Sequence, residues 1–472
     1  MQLPRDSALT VGLTYIKIER RYVMDSIRQR IIDAQMAAQS LVIYRSILKD
    51  PIVETFMQIL DLALGEASFQ ELVTKYHDFF SRLVSQSENR SEPAFGNLWQ
   101  DHILNLVIGD ENPFSLRCEK TGIAGISRDL ITLTQRDLAS LQKIHDFDFS
   151  IFTSYIGQKA GELVVGFPVM YSIESQRHIP YPESYFKEKY HVKKLMGNSI
   201  EWDRNIEVLA KFYFEKGCGI FARFWAFKWV CTENGGDLVG ISEPDPIRLN
   251  DLIGYEEQKQ QVLRNTRQFV QGHGANNMLL YGDRGTGKSS TIKALVHEYG
   301  QEGLRMVEVT KDQLMSLPDI IAKFNNRPYR FIIFVDDLSF EEHETEYKYL
   351  KAVLEGSLEP APENVLIYAT SNRRHLIREY HSDRVQDEVR AQDTLQEKLS
   401  LSDRFGITVI YPSPDQEEYL KIVQGIAGSR GIDVEPEQLR QMALKWELWH
   451  NRRSGRTAKQ FIEDLLGRLR KA

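Results

Sequence analysis

The chain has 472 residues, with 59 lysines and arginines against 66 aspartates and glutamates, for a formal charge of -7. That length exceeds one ordinary core and makes two or three domains the starting expectation. The acidic balance, with a sequence pI near 6.0, provides no global field to attract nucleic acid or an anionic membrane; only local basic patches could serve such partners.

Three cysteines, Cys118, Cys218 and Cys231, lie far from any zinc-ligand spacing. They read as small buried hydrophobes of a reducing compartment rather than as a disulfide framework. The opening residues Met1-Gln-Leu-Pro-Arg-Asp-Ser7 lack an apolar signal core, and the longest aromatic run, Gly219 to Cys231, is interrupted by Arg223 and Lys228. A cytoplasmic protein without a membrane span is the expectation.

From Ser26 to about Ala226 apolar residues recur mainly at helical spacing, as in Phe69, Leu72, Val73, Tyr76, Phe80 and Leu83, which predicts a mostly α-helical N-terminal domain over 1–240. Breaks fall at Asp50-Pro51, Glu88 to Pro93, Asp110 to Pro113 and His178 to Pro182, where Pro and Asn disfavour continuation. Phe221 to Trp229 interleaves aromatics with two cations. That composition suits a single-strand stacking platform or a helix docked on a neighbouring domain, and docking is the expectation, because aromatics at helical spacing are usually core. Asn234 to Asp237 and Ser242 to Pro246 read as a turn-rich linker.

Beyond Arg248 strands alternate with helices. Candidate strands are Met278–Tyr281, Leu304–Val309, Arg330–Asp336, Val365–Thr370 and Ile407–Tyr411, which predicts an α/β core over 241–412 with a parallel five-stranded sheet covered on both faces. After Pro412 and Pro414 the pattern becomes purely helical, so 413–472 reads as a small helical lid.

The first of these strands runs into Gly282-Asp283-Arg284-Gly285-Thr286-Gly287-Lys288-Ser289-Ser290, the spacing of a P-loop. Glycines allow the backbone to turn successive N–H groups toward a polyphosphate at a helix N-terminus. Lys288 would reach the β- and γ-phosphates, and Ser289 would complete the coordination of a magnesium ion that keeps most of its waters. A strand before the loop and helical spacing after it (Ile292, Ala294, Leu295, Tyr299) supply the required context, so binding of ATP with Mg2+ is expected. The third strand ends in Asp336-Asp337, where a parallel strand's C-terminal end faces the ligand. Asp336 would orient the metal and Asp337 polarise the attacking water. Thr370-Ser371-Asn372 closes the fourth strand beside them.

These residues carry a resemblance. From Arg248 to Leu469 the chain resembles an AAA+ ATPase module: Asp251-Leu-Ile-Gly254 resembles the motif beside the adenine, and Asn372 the sensor 1 asparagine. Leu401 to Gly406 resembles the box that carries an arginine finger, Arg404, and Ser454-Gly-Arg456-Thr-Ala resembles a sensor 2 arginine. The resemblance implies hydrolysis of ATP in a homo-oligomer, with Arg404 acting across a subunit interface and Arg456 closing the lid. The plainer readings are an ion pair of Arg404 with Asp403 and a solvated Arg456. Asp337 departs from the usual glutamate by one methylene, which predicts slow turnover; Glu341 and Glu342 lie just beyond it and could assist.

Over nearly the whole chain, Tyr44 to Pro51, Asp110 to Ser115, Asp137 to Leu141, Asp336 to Phe340 and Thr370 to Ile377 also look like an uncharacterised bacterial family of predicted AAA+ ATP-binding proteins. Three roles compete. A remodelling ATPase would recruit a protein client through its helical half, although Thr310 to Arg330 carries no aromatic-glycine pore loop. A loader or switch acting on DNA or a DNA-bound partner would rest on Arg373, Arg374, Arg452, Arg453, Arg468, Arg470 and Lys471. A small-molecule kinase ranks third, for want of an acceptor site.

Overall fold

The computed structural model describes residues 25–65, 68–150, 152–154, 168, 170–172, 179–232, 235–340, 346–355, 362–372, 376 and 401–469. They form two compact units, 1–223 and 224–472.

The described part of the first unit is helical: α1 (residues 25–39), α2 (Pro51–Leu64), α3 (Phe69–Glu88), α4 (Leu98–Gly109), α5 (Pro113–Thr121), α6 (Arg128–His145), α7 (Glu183–Gly197), α8 (Ile206–Lys216) and the short α9 (Gly219–Arg223). The sequence breaks become helix starts, for local reasons. Pro51 and Pro113 occupy the first helical position, where a missing N–H costs nothing, and Asp50 and Asn112 cap the exposed N–H groups before them. One continuous core fills this unit, with Trp99, Phe56, Phe79 and Phe149 packed ring on ring at its centre.

The second unit is built on a sheet of seven strands in the order β2-β1-β4-β5-β6-β3-β7. The strands are β1 (Ala226–Thr232), β2 (Gly235–Ile241), β3 (Met278–Gly282), β4 (Leu304–Glu308), β5 (Arg330–Val335), β6 (Val365–Ser371) and β7 (Ile407–Tyr411). Five match the sequence expectation and pair in parallel. The expectation of five strands is corrected by two more: β1 pairs with β4 in parallel and with β2 antiparallel. The aromatic stretch expected to dock as a helix is instead α9 followed by β1. Its residues alternate, with Phe227 and Trp229 buried and Lys228 exposed. Gly236, read as linker, and Gly240 leave room for rings, because a Cβ on Gly236 or Gly240 would overlap Trp229 or Phe224. Alternation with a period of two and glycine opposite a bulky ring favour a strand over a helix.

Helices α10 (Glu256–Val270), α11 (Lys288–Tyr299), α12 (Leu317–Ala322) and α13 (Tyr347–Glu355) accompany the sheet. β6 is buried along its whole length, as a central strand covered on both faces must be. After β7 come α14 (Gln416–Ser429), α15 (Pro436–His450) and α16 (Gly455–Leu469). They enclose a small core of their own around Tyr419, Val423, Ala458, Phe461 and Ile462.

Among the described residues no helix is long and apolar enough to cross a membrane. Cys118 and Cys218 are buried thiols outside any disulfide. Cys231 is exposed, contrary to expectation, because it lies near the end of β1, where the hairpin to β2 turns and burial falls away.

Candidate nucleotide site

The C-terminal ends of β3, β5 and β6 converge because the three strands are parallel and adjacent. The chain leaving β3 turns sharply, with positive φ at Gly282, Gly285 and Gly287. A Cβ at Gly282 would overlap the Tyr411 carbonyl of β7, so only glycine fits there. The loop then enters α11 at Lys288, and a cavity of about 600 Å3 opens above it.

Arg284 to Ser290 line this cavity, as do Gly254 on one side, Asp336, Asp337 and Asn372 on another, and Arg456 from the start of α16. Gly282 and Asp283 do not line it. They contribute carbonyls that accept from Lys288 Nζ at 2.8 and 2.7 Å, while the Asp283 carboxylate takes the Ser413 hydroxyl. Burial holds the Lys288 ammonium below its ordinary pKa, against the attraction of Asp283, Asp337 and Asp336.

Asp336 Oδ1 accepts from Ser289 Oγ and from Thr370 Oγ1, each at 2.5 Å, and from the Asp337 backbone N–H at 3.1 Å. A serine hydroxyl beside a carboxylate is a hard-oxygen pair of the kind magnesium takes while keeping several waters, so this donor set fits that ion. Asp337 has φ of +51° and is exposed. Asn372 Nδ2 donates to its Oδ1 at 2.5 Å, and Asn372 Oδ1 accepts from Lys288 Nζ at 3.2 Å. The amide therefore bridges a cation and an anion, which fixes which end is oxygen.

Around the remaining wall stand Ile253 and Tyr255, facing Ile422 and Ile426 of α14, with Lys259 and Lys459. Sequence reasoning missed Lys259, Ile422, Ile426 and Lys459 as site residues. Their helical spacing reads as ordinary core or surface, and only the fold brings them to the loop. Arg404 does not line the cavity; it pairs with Glu355, not with Asp403. Of the basic clusters, Arg453 pairs with Glu447 and Arg468 with Asp464. Glu341, Glu342, Arg373, Arg374, Arg470 and Lys471 lie outside the described residues.

A P-loop at the end of a central parallel strand, an acid pair two strands away in the same sheet and a polar strand end between them give this unit the fold of a P-loop module of the AAA+ type. Residues 222–469 match the family described as protein of unknown function (DUF815), and the chain belongs to that family. Among curated proteins none matches the chain. Of solved structures, the Thermotoga maritima RuvB Holliday junction branch migration motor is similar at 16% identity, with 47% of this chain and 72% of that one covered and a TM-score of 0.29. Two point mutants of the same protein are similar at 15% and 16% identity, covering 47% and 48% of this chain and 72% and 68% of theirs, with TM-scores of 0.30 and 0.34. The likeness is one of fold.

Proposed function

We propose that the protein is an ATPase, hydrolysing ATP to ADP and phosphate with Mg2+, and that it couples this to remodelling of a protein client. The observation that carries the reading is the meeting of Lys288, Ser289, Asp336, Asp337 and Asn372 at the floor of one cavity of about 600 Å3, a volume suited to a nucleotide.

Lys288 exchanges its loop carbonyls for the β- and γ-phosphates, and the N–H groups of residues 284–289 meet the phosphate chain at the start of α11. Ser289 and Asp336 would hold magnesium, which when bound would offset the charge of the phosphates. Asp337 accepts a hydrogen bond from the attacking water, and Asn372 orients that carboxylate and senses the γ-phosphate. Arg456, one residue into α16, closes 413–472 over the nucleotide as a lid. Arg404, which does not line its own chain's cavity, is a finger that serves the site of a neighbouring subunit in a homo-oligomer. The helical N-terminal domain recruits the client. The alternative, a loader or switch on DNA, loses support from the pairing of Arg453 and Arg468 with carboxylates. The protein acts in the cytoplasm, where its three cysteines stay reduced.

The test is the specific ATPase rate of the purified protein against its own concentration, with Arg404→Ala alongside. The rate should rise steeply with concentration, and Arg404→Ala should bind ATP normally while losing on the order of 10³-fold in turnover. A rate flat in concentration and indifferent to Arg404 sinks the assembly model.

A further inference from the structure

Thr370 is buried to 1% exposure, yet its side chain lies at the wall of the nucleotide cavity. The strand register explains how. Val335 of β5 stands opposite Ala369 of β6, so the next residue on each strand brings Thr370 abreast of Asp336. On its other side Thr370 stands opposite Leu280 of β3, three residues before the first carbonyl that Lys288 engages beyond the strand. The hydroxyl therefore sits between the phosphate loop and the acid pair.

That hydroxyl makes two bonds of opposite sense. It donates to Asp336 Oδ1 at 2.5 Å and accepts from the backbone N–H of Asp337 at 2.9 Å. The Ser289 hydroxyl donates to the same Oδ1 at 2.5 Å. Asp336 Oδ1 is thus saturated with protein donors, and the carboxylate is turned so that Oδ2 is the oxygen left for a cation's water shell. The bond to Asp337 N–H also fixes the peptide that leads into the left-handed turn at Asp337. Leu338 N–H donates to the Thr370 carbonyl at 2.7 Å, so the turn is held to this one residue from both its side chain and its backbone.

We infer that Thr370 is a positioning residue for the magnesium-binding carboxylate: its hydroxyl sets the rotamer of Asp336 and ties it to the turn that presents Asp337. The inference rests on the functional reading above and deepens it. Serine could make the same two bonds; valine, of the same shape, could make neither and would leave the carboxylate held only by Ser289 and the Asp337 N–H.

The experiment is binding of a fluorescent ATP analogue to the full-length protein, titrated with MgCl2 from an EDTA-treated start, for wild type, Thr370→Val and Thr370→Ser. Thr370→Val should raise the Mg2+ concentration for half-maximal enhancement by about tenfold, the loss of one charge-assisted bond. Its Mg2+-free affinity should stay within about twofold of wild type, and Thr370→Ser should restore the wild-type Mg2+ response. A second arm repeats Thr370→Val in an Asp336→Asn background, where it should add no further shift, since the group it positions is gone. If Thr370→Val is insoluble, Thr370→Ala carries the same cycle. An unchanged Mg2+ response, or an equal loss of affinity with and without Mg2+, overturns the inference while the nucleotide site stands. Failure of the wild-type protein to bind the analogue under any condition removes the functional reading and this one together.

Discussion

Asp337 occupies a backbone region that side chains rarely enter, with φ of +51° and its carboxylate on Asn372. Strain of that kind costs on the order of 1–3 kcal/mol and persists only where surrounding bonds hold it. Here the holders are Thr370 and the Asp336 carboxylate, both on the Asp337 N–H. That turn places Asp337 at the cavity wall. Asp337→Asn keeps the shape and removes the base. Turnover should fall by about 100-fold or more with ATP affinity little changed, as read by steady-state rates beside equilibrium binding. Loss of affinity in parallel with rate would assign Asp337 to binding. Most of this placement was legible in the sequence, because the loop spacing and the acids at a strand end have local signatures. The part played by Thr370 was not: it depends on the register of β5 against β6, and no local pattern announces a register.

At the scale of elements, the first unit holds its helices together with buried charge. Lys189 and Lys193, one turn apart on α7, reach Glu92 at 2.8 Å and Asp101 at 2.9 Å, and Arg90 joins Asp101 from the segment after α3. Glu92 and Lys189 are each about 5% exposed, so neither charge can turn to water if its partner is lost. Burial alone would push the Glu92 carboxyl up; the ammoniums of Lys189 and Lys193 outweigh it and hold it at about 2. Its folded value lies below the ordinary 4.5, so the stability this carboxylate contributes is complete above about pH 4.5 and is lost as pH falls toward 2. Glu92→Gln should therefore cost about 3 kcal/mol at neutral pH and flatten the acid limb of the stability profile, measured by urea denaturation at a series of pH values. A profile unchanged in slope would contradict this account. Helix content here was readable from spacing and from Asp50, Asn112 and their prolines. The strands β1 and β2 were not, because large aromatics at mixed spacing resemble a helix until the glycines that receive them are seen on the facing strand.

At the scale of the whole molecule, each compact unit encloses its own core, and the nucleotide cavity belongs wholly to residues 224–472. Saturating Mg2+ and ATP analogue at 100 times the dissociation constant should stabilise that unit by about 2.7 kcal/mol and leave the unfolding of residues 1–223 in place. Differential scanning calorimetry should resolve two transitions of which one moves; a single transition that moves as a whole would refute independent unfolding. Within the second unit, the three C-terminal helices are fastened beside the phosphate loop at two places. One lies where β7 passes into α14: the Tyr411 carbonyl packs against Gly282, and two residues later the Ser413 hydroxyl donates to the Asp283 carboxylate. The other is a single bond, from the Arg456 backbone N–H to the Gly285 carbonyl at 3.2 Å. The two contacts lie at opposite ends of one short turn, Gly282 and Asp283 before it and Gly285 within it. The C-terminal helices are therefore coupled to the phosphate loop at both of its ends, so a change in the loop is felt by the helices at two points of contact.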